Sequence, residues 1–178
     1  MSEATTFSRV ERINHWIVAV ATLLLLSAGW VLFFKVLSEP AERSLRDLHK
    51  AFGVLVLVFG LWRVGYRLLR GFPQPVPGMQ NWQLLLSKLV HYLLLAGIII
   101  MPASGFFKSW YAGRPINMFG LFSMGSPGNK DAALAELAST AHYLAGLAIT
   151  ALIVLHIVAA VKHHLFDRDG TLTRMIRG

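Results

Sequence analysis

The segment from about residue 139 to 165 constrains the fold of this chain more than any other segment does. It is apolar and close to the roughly 20 residues that a helix needs to cross a bilayer, yet it contains His142 and His156. Fourteen residues separate the two histidines, which is close to four whole helical turns and about 21 Å along a helix axis. Both imidazoles are therefore predicted on one face of one helix, near opposite surfaces of a membrane.

Three further apolar segments precede this one, and the four together predict the fold class. They cover about residues 15–36, 49–69, 84–107 and 139–165, each near the length of a membrane-spanning helix. The chain is 55% hydrophobic and only 15% charged, which is too apolar for an ordinary soluble domain. We therefore predict an all-α protein, an integral membrane four-helix bundle that forms a single domain over residues 1–178.

Charge and cysteine content exclude several functions and indicate an orientation. The net charge is +8 and there is no cysteine, so thiolate haem ligation, iron–sulfur clusters and cysteine zinc sites are excluded. No soluble basic domain is present to bind nucleic acid. With four helices, ten Lys and Arg residues lie on the side of both termini and seven lie on the other side. This distribution favours cytoplasmic termini in a membrane.

Five of the seven histidines lie before the basic C-terminal end of the last apolar segment, and four of these five fit a haem-binding role. A haem disc needs a small residue one turn away on the same helix face. The fourth residue onward is Gly or Ala after four of the histidines and Leu after the fifth. The four are His15, His49, His142 and His156, and the fifth is His91.

The predicted depths of these histidines pair His15 with His156 and His49 with His142. Two axial imidazoles would give six-coordinate iron without an open site, which suits electron transfer. A histidine at a helix end can instead be an interfacial residue, and small residues also mediate helix packing. Zinc or copper is the other metal to consider, but tetrahedral zinc requires four ligands. We therefore predict two b-type haems.

Polar residues on the side of the termini are candidates for haem propionates and for a quinone. Arginines in the first two helices could pair with propionates or with a quinone head group, or extend toward anionic lipid. A lysine and two histidines could donate protons and hydrogen bonds to a quinone, or simply lie at a wet helix end. The propionate candidates are Arg12, Arg63 and Arg67, and the quinone candidates are Lys88, His91 and His163.

A long loop is predicted from residue 108 to about 134, on the opposite side of the membrane from the termini. Lys108 and Arg114 could attract a small anion toward the outer haem, with Trp110 beside its path. Aromatic residues at this position are otherwise explained as an interfacial belt.

Several of these motifs together resemble the bacterial di-haem cytochrome b561 family over nearly the whole chain. The resemblance implies a four-helix inner-membrane protein in which His15, His49, His142 and His156 are the axial ligands of two haems. The matching motifs are Arg12-Ile-Asn-His15-Trp16, His49-x-x-x-Gly53 with Arg63 and Arg67, His91 with Pro102 and Gly105, and His142 to His156 followed by His163–His164.

The resemblance also suggests what the protein does. One branch of the family is a superoxide oxidase, which passes electrons from periplasmic superoxide to membrane ubiquinone. The expected function is therefore that of a superoxide:ubiquinone oxidoreductase. The wider superfamily includes cytochrome subunits of hydrogenases and other dehydrogenases, so an electron-transfer subunit that docks a periplasmic redox protein is the alternative. A haem-free structural or sensor bundle is a third possibility.

Overall fold

Four long helices dominate the computed structural model, which describes residues 6–125, 128 and 130–177. They are α1 (Arg9–Phe34), α2 (Glu39–Arg70), α3 (Asn81–Tyr111) and α4 (Ala132–Lys162). Each of the four is long and apolar enough to cross a membrane. The predicted fold class, an all-α membrane bundle, is therefore confirmed.

The helices extend beyond most ends of the apolar segments because polar caps, not hydropathy, determine where they begin. At the start of α1, the Ser8 hydroxyl accepts a hydrogen bond from the Glu11 amide, and the Glu11 carboxylate accepts one from the Ser8 amide. Such a reciprocal cap satisfies two otherwise unpaired amides. The Asp131 side chain caps α4 by accepting from the Leu134 amide at 2.9 Å. The apolar runs thus mark the membrane-crossing parts of longer helices.

In the described residues, helix and strand replace part of the long loop that we predicted between the third and fourth helices. Helix α3 continues to Tyr111, so Lys108 and Trp110 lie in its last turns and not in a loop. Strands β1 (Ile116–Met118) and β2 (Phe122–Met124) then form an antiparallel hairpin. A π-helical turn, His163–Asp167, and a short helix α5, Thr171–Ile176, follow α4.

The bundle core is small because most apolar side chains point away from the protein, as expected for helices that contact lipid. Val18, Leu26, Ile98 and Ile149 form the main buried cluster, and only 1% of Ile149 is exposed. Gly97 lies opposite Ile149, where an added Cβ atom would approach the isoleucine side chain to 3.2 Å. Small residues at such positions allow helices to pack closely.

A buried ion pair joins α1 to α2 at the end of the bundle where both termini lie. Arg67 Nη1 is 3.0 Å from Glu11 Oε1, and the two side chains are only 7% and 11% exposed. The Arg67 guanidinium also donates to the Gly71 carbonyl at 2.6 Å and lies 4.8 Å from the centre of the Phe72 ring. The pair therefore connects the first turn of α1 to the last turn of α2.

Replacing Glu11 with glutamine is expected to lower the free energy of unfolding by about 3 kcal/mol, because the buried Arg67 charge loses its partner. Glutamine retains the capping-box interaction, so the loss reports on the ion pair. The measurement is unfolding in mixed micelles. Glu42→Gln, which breaks an ion pair with the half-exposed Arg46, should cost less than about 1 kcal/mol. Equal losses in the two variants would contradict the prediction.

Candidate functional site

The structure brings the predicted histidines together in two pairs. The ring centroids of His49 and His142 are 6.2 Å apart, and those of His15 and His156 are 6.4 Å apart. An imidazole nitrogen binds a transition metal at about 2 Å, so two rings on opposite sides of one metal ion have centroids about 6 Å apart. Both pairs therefore have the separation that axial coordination of one iron requires.

A cavity of about 600 Å³ surrounds the His49–His142 pair between the four long helices. Each helix contributes a glycine to its wall, namely Gly29, Gly53, Gly105 and Gly146. A Cβ atom at residue 105 would lie 2.9 Å from Cε1 of His142, which is too close for real atoms. Gly105 therefore makes room for the His142 ring itself. Among the described residues nothing lies within 4 Å of a Cβ atom placed at residue 53, so Gly53 leaves space for a flat group in the cavity. Gly29 is not among the residues that the sequence singles out, because its role shows only in the assembled bundle.

The two histidines at this cavity differ in their hydrogen bonding. Nδ1 of His142 is 2.8 Å from the Met101 carbonyl oxygen, which can only accept. Nδ1 must therefore carry the proton, and Nε2 is left free to bind a metal. In the described part of the chain, the buried Nδ1 of His49 has no hydrogen-bond partner. The space in the cavity, the free Nε2 of His142 and the unpaired Nδ1 of His49 together fit a haem.

Four cations line the wall of this cavity, two of which are predicted from the sequence to lie along an anion path. Lys108 and Arg114 are the predicted two, and Arg46 and Lys50 are additional. Positions 46, 49, 50 and 53 have the spacing of one helix face. This spacing, counted from His49, could have identified Arg46 and Lys50 from the sequence. Trp110 is absent from the wall and instead stacks on Phe106 with ring centroids 5.7 Å apart. Phe106 itself does line the cavity.

Around the second pair, Arg63 and His91 are the close neighbours. Arg63 Nη2 lies 2.9 Å from Nδ1 of His15, and Nη1 donates to Oδ1 of Asn14 at 3.3 Å. Asn14 belongs to the quoted motif but is not among the predicted site residues. An amide side chain in an apolar helix could have pointed to it, because burying such a group is costly without a hydrogen bond. The His91 ring centroid is 5.3 Å from that of His156. Its Nδ1 is 2.6 Å from the Ser87 carbonyl oxygen.

Among the other candidates on this side, three have different partners and one is exposed. Arg12 donates to the Ile176 carbonyl of α5 at 3.0 Å, and Arg67 pairs with Glu11. Lys88 is exposed on α3. His163 Nδ1 contacts two carboxylates of the segment that follows α4.

Asp169 anchors that C-terminal segment. Its Oδ2 lies 2.6 Å from Nδ1 of His163, and its Oδ1 accepts from the Thr171 amide at 2.9 Å. Burial raises the pKa of the Asp169 carboxyl, but hydrogen bonds from Thr171 and His163 outweigh this effect and lower the pKa below its usual value. A lowered folded-state pKa stabilises the folded chain above the pKa of the unfolded state, and this contribution is lost as the pH falls through the folded value.

Comparisons with known proteins identify the family. The family profile for prokaryotic cytochrome b561 matches residues 6–178. Two similar proteins come from Escherichia coli strain K12. Cytochrome b561 homolog 2 is 28% identical over 91% of this chain and 86% of the relative, and cytochrome b561 homolog 1 is 26% identical over 96% of both chains. Cytochrome b562 of Cereibacter sphaeroides is 27% identical over 99% of both chains.

The match covers all four long helices and both histidine pairs. Proteins of this family bind b-type haem, typically two per chain, and take part in membrane electron transfer. The chain therefore belongs to the prokaryotic cytochrome b561 family and is a multi-pass membrane b-type cytochrome.

Proposed function

We propose that this chain is a superoxide:ubiquinone oxidoreductase of the bacterial inner membrane, with both termini in the cytoplasm. In this proposal His49 and His142 hold the outer haem, and His15 and His156 hold the inner haem. The observation that carries the proposal is the cation-lined cavity around the His49–His142 pair, at the end of the bundle opposite the termini. The cations would attract an anionic electron donor to the outer end of the bundle. Superoxide is an anion that can give up one electron.

When bound, each haem supplies a one-electron redox centre. The protein contributes ligand geometry and electrostatics. A hydrogen bond from Nδ1 of His142 to the Met101 carbonyl fixes the orientation of its ring and makes Nε2 a better ligand. With two histidines as its ligands, each haem would have no open position for oxygen, which would favour electron transfer over oxygen binding.

The proposed reaction balances over two turnovers of the donor. Two superoxide anions lose one electron each and leave as two molecules of oxygen. One ubiquinone gains these two electrons and two protons from the cytoplasmic side and becomes ubiquinol. His91 is the candidate donor of a hydrogen bond and a proton to the quinone beside the inner pair, since its ring centroid lies 5.3 Å from that of His156. Lys88 and His163 stay candidates for proton delivery at the helix ends.

Replacing Lys108 with glutamate is expected to lower the rate of superoxide consumption by about tenfold at low ionic strength, because a cation in the cavity wall raises the encounter rate with an anion. Added salt should lower the wild-type rate and affect the variant less. The assay follows quinone-dependent superoxide loss by purified protein in proteoliposomes.

Arg43→Glu is the matched control for this charge reversal. Arg43 lies on the same side of the membrane in α2, is exposed and is absent from the cavity wall, so the rate should change little. A superoxide loss no faster than spontaneous dismutation at low salt would contradict the proposed donor. The chain would then be an electron-transfer subunit whose outer end docks a redox protein.

A further inference from the structure

The hairpin between α3 and α4 has one apolar face and one polar face. Its register pairs Ile116 with Met124 and Met118 with Phe122, so these four side chains share a face, because cross-strand partners point the same way. Asn117 pairs with Ser123 on the other face. Ile116 and Met118 are buried against α2, whereas Asn117 and Ser123 are exposed.

The hairpin packs at the depth where α2 enters the membrane. The sequence of α2 is polar up to Lys50 and is then apolar from Ala51 to Trp62. Ala51, which is 1% exposed, packs against Ile116 and Met118. The ring of Phe119 in the turn lies 5.1 Å from that of Phe52. The turn therefore lies level with the start of the lipid-facing part of α2 and not above it.

The turn directs large apolar side chains outward. Phe119 and Gly120 both have positive φ, at 56° and 80°, and the Leu121 amide donates to the Met118 carbonyl at 3.0 Å. A bulky residue with positive φ is uncommon, because glycine or asparagine adopts this conformation more easily. The side chains that follow are open, with Leu121 83% exposed and Phe122 60% exposed. The conformational preferences of a tight turn therefore do not explain why Phe119, Leu121 and Phe122 stand at this tip.

We propose that the hairpin tip, residues 119–122, inserts among lipid acyl chains of the leaflet at the His49–His142 end. Its exposed side chains continue the apolar surface of α2 through the contact between Phe119 and Phe52. The opposite face of the hairpin, with Asn117 and Ser123, is polar and does not continue this apolar surface. The same hairpin also contributes to the cavity around His49 and His142. Ile116 of β1 lines the cavity wall, and Arg114 precedes it by two residues.

Spin labelling tests this proposal directly, because the chain has no native cysteine. A nitroxide is attached to Leu121→Cys, and a matched label to Ser123→Cys on the polar face of the same hairpin. Power-saturation measurements in proteoliposomes compare collisions with oxygen, which partitions into lipid, and with a water-soluble nickel chelate. The label at 121 should collide mainly with oxygen and the label at 123 mainly with nickel.

The remaining outcomes overturn the proposal. Equal access of nickel to both labels would place the tip in water. Exclusion of both reagents from position 121 would mean that a protein surface, such as a second copy of this chain, covers the tip. An unchanged b-type spectrum in both labelled variants establishes that the protein is intact, so the result does not depend on the superoxide activity.

Discussion

Alanine at position 142 is expected to reduce the haem content of the purified protein from two per chain to one. His49 would be left as the single histidine ligand for the outer haem. His156 of the inner pair lies about 21 Å from residue 142 along the same helix, so His15 and His156 should keep their haem. Haem per polypeptide, with the reduced-minus-oxidised spectrum, measures the result.

His91→Ala is the matched control, since it also removes an imidazole from inside the bundle. The His91 ring is 5.3 Å from His156, which is closer than two rings on opposite sides of one iron, so both haems should remain. His142→Gly separates a ligand from a packing role, because added imidazole should restore the lost haem. A His142→Ala protein that keeps two haems, or a His142→Gly protein that imidazole does not rescue, would contradict the ligand assignment.

The histidine pairs could be predicted because the spacing of His142 and His156 fixes their common helix face. Other parts of the site have no local signature. The Met101 carbonyl that orients His142 belongs to another helix, and a backbone oxygen leaves no trace in residue type. The contacts of Arg63 with Asn14 and His15 likewise depend on how α1 packs against α2. Such contacts appear only after the helices are assembled.

The hairpin was unpredictable for a different reason. Its strands have three residues each, which is too short for a period-two pattern to stand out. Its turn places Phe119 where asparagine or aspartate before glycine would signal a hairpin. The helix ends could be inferred only in part, because hydropathy marks the membrane boundary while the caps at Ser8 and Asp131 lie outside it.

Leucine at position 105 is expected to remove the outer haem as completely as alanine at 142 does. A Cβ atom there would lie 2.9 Å from Cε1 and 3.0 Å from Nδ1 of His142, so the ring has to move. Moving it breaks the hydrogen bond to Met101 and turns Nε2 away from His49. The rest of the leucine side chain occupies space beside the ring. Haem content should fall from two to one.

Gly65→Leu controls for the insertion of a large side chain into a helical glycine position. Gly65 lies in α2, outside the cavity wall, and among the described residues nothing lies within 4 Å of a Cβ atom placed there. Leucine is a better helix former than glycine, so neither variant should lose its helix. Two haems retained in Gly105→Leu would mean that His142 does not bind iron from the position described. Loss of a haem in Gly65→Leu would show that bulk anywhere in the bundle expels it. Only loss confined to residue 105 ties haem binding to the space that this glycine leaves beside the imidazole.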